Sequence, residues 1–192
     1  MSQHKQKKWN PYKFGAGEYE TGPYQYGNLF EIRKTTGPAQ LVIAPAMNHI
    51  DLMIELARAL PEPFCILYVL KVSRTGAVAG RYQSPVPLDR PVAESFLLEY
   101  KDFFENDGRH HVWLLARPDF HGIIYDNHNV LYAYGQIEKF CDILLAKGLS
   151  EGKVKFPVPH RHCYNPEYDD MEEQVFAHWE WTKFPLQEGD DP

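Results

Sequence analysis

Few of the usual signals of chemistry occur in this chain. Its three cysteines, Cys65, Cys141 and Cys163, are an odd number without CxxC spacing. Cys65 and Cys141 sit inside apolar patterns and read as small core residues, which suits a reducing, cytoplasmic compartment. The longest apolar run, FCILYVL at 64–70, is seven residues and too short to cross a bilayer. The first thirteen residues carry Lys5, Lys7, Lys8 and Lys13 without an acid, and no apolar segment follows, so they do not read as a secretory signal. No GxSxG, HExxH or nucleophile-plus-base pattern occurs. The loop SRTGAVAGRYQ at 73–83 has two glycines with Arg74 and Arg81, but it lacks the Lys-Ser/Thr of a phosphate-binding loop; anion binding there stays open.

What is present is a core. At 192 residues and 44% hydrophobic content, the chain suits one good-sized domain and excludes a disordered one. No repeat or linker divides it. Residues 1–26 read as an irregular arm, 27–186 as a single α+β domain, and 187–192 as an acidic tail. Strands are expected at 28–35 and 39–46 around the turn Thr36-Gly37-Pro38, then a helix from His49 to Leu60 capped by Asn48. FCILYVLKV at 64–72 reads as a central strand covered on both sides, and 90–106 as one amphipathic helix. Three short strands at 111–117, 122–126 and 129–134 form an antiparallel meander. A helix over 136–147 follows, then an edge strand at 153–158 and a last helix entered through Asn165 and Pro166. The sum is a mostly antiparallel sheet of about six to seven strands with about four packed helices.

Charge is distributed unevenly. Residues 151–192 hold ten acids against four bases, and so carry the whole net charge of −6. That end should repel nucleic acid and favour a basic protein partner. With aromatics at 14%, it suggests an interface in which Trp181 and Tyr168 anchor the partner while Glu172 and Glu173 steer it. In size, charge and class the chain is like immunity proteins that neutralise toxins, an analogy that transfers no residue. A cytoplasmic, non-enzymatic protein-binding module of that type is the first expectation, with neither nucleic acid nor membrane as partner.

The alternative starts from PHRHCYNPEYDD at 159–170. An HxH on an extended segment puts both imidazoles on one face, as zinc sites use them. Cys163, Asp169 and Asp170 are sequence neighbours without ligand spacing, and Asn165-Pro166-Glu167 reads equally well as a helix entry. In the meander, strand order brings His110 and His111 to the same sheet end as Asp126, Asn127 and His128. Asp-Asn-His-Asn is a tight-turn sequence, but a carboxylate beside imidazoles can also orient a base or hold a metal. The second expectation is therefore a metal-dependent hydrolase with zinc on His160, His162, His128 and Asp126.

Overall fold

The computed structural model describes residues 11–17, 22–85, 87–117, 119 and 121–190. It is mixed α+β, as the sequence pattern implies. Strands β1 (Phe14–Ala16), β2 (Leu29–Arg33) and β3 (Gln40–Ala44) precede helix α1 (His49–Ala57) and the central strand β4 (Phe64–Leu70). Then come β5 (Gly80–Gln83), α2 (Arg90–Glu99), α3 (Lys101–Asn106), β6 (His110–Ala116), β7 (Gly122–Tyr125) and β8 (Leu131–Tyr134). The chain finishes with α4 (Ile137–Ala146), β9 (Ser150–Glu151), β10 (His160–His162), α5 (Asp169–His178) and β11 (Thr182–Phe184). Single 3-10 turns cover Pro166–Tyr168 and Glu188–Asp190.

Nine strands form one sheet in the order β11-β5-β4-β6-β7-β8-β3-β2-β9, antiparallel throughout except for the β2–β9 pair. β1 and β10 pair separately as a two-stranded antiparallel ribbon. The expected meander is present, with Val112 opposite Tyr125 and Ile124 opposite Tyr132.

Several local expectations need correcting. The arm contains β1, because β10 supplies a strand partner far along the chain. The loop 73–87 contains β5, which is held between β4 and β11. Residues 153–158 form no strand; the parallel slot beside β2 goes to Ser150–Glu151, and Pro157 and Pro159 deny the following segment a ladder. The 90–106 helix is broken at Tyr100, whose φ of −101° and ψ of 11° leave helical geometry. Asn48 precedes α1 in the left-handed region without a side-chain cap; Glu105 supplies it instead, accepting from Ile50 N–H at 2.8 Å. Asn165 makes no cap either, since its side chain bonds the Tyr12 and Asn106 carbonyls.

Strand alternation divides the sheet into two faces. Leu41, Ile43, Ile66, Tyr68, Val112, Leu114, Ile123, Tyr125, Leu131 and Ala133 join the main core with the apolar stripes of the helices. Period two sends the intervening residues the other way. On that side a smaller cluster of Phe14, Tyr26, Val42, Ala44, Val130 and Val154 covers only part of the sheet. His111, Trp113, Ile124, Tyr132 and Tyr134 are left to line a hollow.

Candidate metal centre

The turn joining β7 to β8 supplies the first ligand. Asp126 Oδ1 accepts from the backbone N–H of His128 at 2.9 Å and of Val130 at 3.0 Å, while Asn129 takes the left-handed conformation (φ 61°). Asp126 Oδ2 lies 3.0 Å from His128 Nδ1. One carboxylate thus builds the turn and holds the ring. Burial pushes the Asp126 carboxyl up, but the His128 hydrogen bond, the neighbouring imidazoles and the Val130 N–H outweigh it and hold its pKa below the usual range. From behind, the buried Lys13 amine donates to the Asp126 carbonyl at 3.1 Å and lies over the Tyr125 ring. Burial brings that amine down to about 7.

β10 supplies the other two. His160 and His162 lie two residues apart on an extended strand, so both rings fall on one face. Nδ1 of His162 lies 3.0 Å from the Asn127 carbonyl, and Nδ1 of His160 lies 3.1 Å from the Pro157 carbonyl. A carbonyl oxygen only accepts, so each Nδ1 carries a proton and Nε2 is the nitrogen left for another partner. Nε2 of His162 is buried and has no hydrogen-bond partner among the described residues. Burial, with His128 nearby, holds the His162 ring down to about 4, so it is neutral at physiological pH.

His128, His160 and His162 converge. One ring nitrogen of each lies within 4.8 Å of the others. The side chain of Phe14 sits beneath all three, with ring centroids at 5.2, 5.4 and 5.6 Å. Gly108 allows the ribbon to approach β6: a Cβ there would stand 2.9 Å from the Lys13 carbonyl oxygen and 3.0 Å from the His162 Cβ. Three imidazoles, each with its Nδ1 at hydrogen-bond distance from an oxygen, match the protein half of a tetrahedral site whose fourth position is open.

The centre borders a cavity of about 450 Å³, whose walls include His111, Trp113, Tyr132, Tyr134, Phe156 and Asp190. His111 Nε2 lies 3.1 Å from Asn127 Oδ1, and burial holds its pKa to about 4. Asp190 belongs to the segment read as an acidic tail. It is buried, and both its oxygens lie 2.7 Å from the Arg81 guanidinium. A larger hollow of about 530 Å³ beside Tyr12, His49 and Glu105 gathers no comparable set of ligand atoms.

Other candidate residues lie elsewhere. Asp126 supports His128 and is not itself one of the three converging groups. Cys163, Asp169 and Asp170 are also outside the cluster. Asp169 bonds Arg74 at 3.0 Å, so Arg74 and Arg81 of the glycine loop both have carboxylate partners. Of the four residues expected at the acidic interface, three turn at least partly inward, while the acids Glu167, Asp170, Glu180 and Glu188 around them are exposed. Glu172 is fully buried on Arg109 at 2.5 Å, and the Tyr168 hydroxyl donates to Asp102 at 2.7 Å. Trp181 is half-buried, donates to the Val175 carbonyl at 2.9 Å and packs against Phe96 and Trp179. Glu173 alone of the four is exposed. Sequence reasoning missed Lys13, Trp113, Tyr132 and Asp190. The alternation of aromatics in VWLLAR and VLYAY was the available signal for two of them.

Comparison with protein-family models, with curated proteins and with solved structures gives no match.

Proposed function

We propose that this protein is a metal-dependent hydrolase whose zinc is held by His128, His160 and His162. The observation that carries the reading is the convergence of three imidazoles, one ring nitrogen of each within 4.8 Å of the others, with every Nδ1 at hydrogen-bond distance from an oxygen. Neutral imidazole sets suit zinc, and three of them leave a position for water. Zinc held by these three residues would supply Lewis-acid activation of water for attack at neutral pH. Asp126, 3.0 Å from His128 Nδ1, orients that ring. The buried Phe14 beneath the rings excludes water from that side, and the cavity admits a substrate from the other.

A neutraliser of basic proteins needs Tyr168, Glu172 and Trp181 turned outward, and their inward contacts leave that reading with less support. Metal analysis of the purified full chain tests the hydrolase. One zinc per chain is expected after loading and dialysis, with loss in His128→Ala, His160→Ala and His162→Ala. Zinc-loaded protein should hydrolyse a 4-nitrophenyl ester, and a chelator should abolish the rate. A wild-type chain that retains no zinc would overturn the assignment.

A further inference from the structure

The walls of the cavity narrow the kind of molecule that would react there, an inference resting on the hydrolase reading. Trp113, Ile124 and Tyr132 are direct cross-strand neighbours on β6, β7 and β8, so their side chains form one continuous row. Tyr134 stands one step along β8, its hydroxyl bonded to Gln40, and Phe156 lines the hollow beside His128, ring centroids 5.4 Å apart. The result is an aromatic slot beside the imidazoles. Its volume, about 450 Å³, is that of a small-molecule site.

Charge excludes most alternatives. No Lys or Arg is among the residues lining this cavity. Of its two carboxylates, Asp190 is paired with Arg81, and Asp126 is hydrogen-bonded to the His128 ring and to two backbone N–H groups. An anion would therefore meet carboxylates and no Lys or Arg among the lining residues, and a cation would meet carboxylates already engaged. Arg81 lies over the Trp113 ring, its guanidinium carbon 5.0 Å from the ring centroid, and so backs the indole as one wall of the slot.

We infer that the substrate is an uncharged ester or amide bearing an aromatic ring, with Trp113 as the residue that selects it. Water adds to the acyl carbon, and the C–O or C–N bond breaks with its electron pair on the leaving atom. That atom takes up a proton from the water, so acid and alcohol or amine form without oxidant or reductant.

Calorimetry on the full chain tests this with 3-phenylpropionamide, propionamide and 2-phenylethylphosphonate, first in the metal-free form where no cation attracts the phosphonate. The aromatic amide should bind about tenfold or more tighter than propionamide, because ring contacts add to simple burial. Trp113→Leu should erase that preference while zinc stoichiometry stays at the wild-type value, and Trp113→Phe should keep most of it. Tightest binding by the phosphonate, no binding of either amide, or an aromatic preference that survives Trp113→Leu would overturn the inference. The two readings fail separately. A chain that takes up no zinc but still prefers the aromatic amide sinks the hydrolase and keeps the ligand class. Zinc-dependent hydrolysis that favours phosphate esters over aromatic acyl esters does the reverse.

Discussion

Two polar clusters lie near the same sheet end, one around Arg109 and one around His128, and they are finished differently. Arg109 is fully buried, and each guanidinium nitrogen has a partner: Asp107 at 2.8 and 3.1 Å, Glu172 at 2.5 Å and the Asn165 carbonyl at 2.9 Å. Those bonds tie the entry of β6 to α5 and the turn before it. The histidine cluster is half closed. Each ring sets Nδ1 against an oxygen, and the buried Nε2 of His162 has no partner among the described residues. Buried polar groups are normally satisfied, so a saturated cluster reads as architecture and an unsaturated one as a place where something else belongs.

The largest test of that contrast is Arg109→Met. It strands Asp107 and Glu172 in the interior, and leaving a buried charge uncompensated typically costs about 3–5 kcal/mol. A urea titration should show that loss, while the folded fraction still takes up one zinc. If stability holds and zinc uptake disappears, the division between the clusters fails.

Acid should act next, through histidines on the helix side. His49 is buried against Tyr125, and burial, with Lys13 adding to it, holds its ring down to about 3; burial moves His110 the same way. The unfolded chain takes up these protons near pH 6.5 and the folded chain does not. Their contribution is therefore whole above pH 6.5 and is lost as pH falls towards about 3, on the order of 1 kcal/mol per group for each pH unit crossed. Urea midpoints of wild type and His49→Asn between pH 7 and 4 measure it. Parallel curves for the two proteins would show that His49 plays no part.

Asp126→Asn sharpens the other half. The amide keeps an acceptor for the turn but loses the charge behind His128, so zinc affinity should fall about 10–100-fold. Competition with a chromogenic chelator reads that change, and an unaltered affinity would mean that Asp126 only builds the turn. Glu173→Lys should do least. An exposed change away from both clusters stays within about 0.5 kcal/mol, with zinc binding intact.

The elements with strong local signals were legible in the chain itself: the central run 64–70, the meander over 111–134 and the helices at 49, 90 and 137. Period and turn residues specify these without help from distant segments. The HxH spacing and the Asp-Asn-His turn were also visible, and residue type alone suggested combining them. Local pattern could not show how they meet, because β10 pairs with Phe14–Ala16, far earlier in the chain. The same limit explains the acidic C-terminal region. Its charges read as an outward interface and tail, yet Glu172 and Asp190 face inward because Arg109, just before β6, and Arg81 of β5 reach them. Composition and periodicity determined the class of fold and which face of each strand is apolar. The tertiary structure decided which polar side chains meet, since an ion pair or a shared ligand position depends on contacts made across the whole length of the chain.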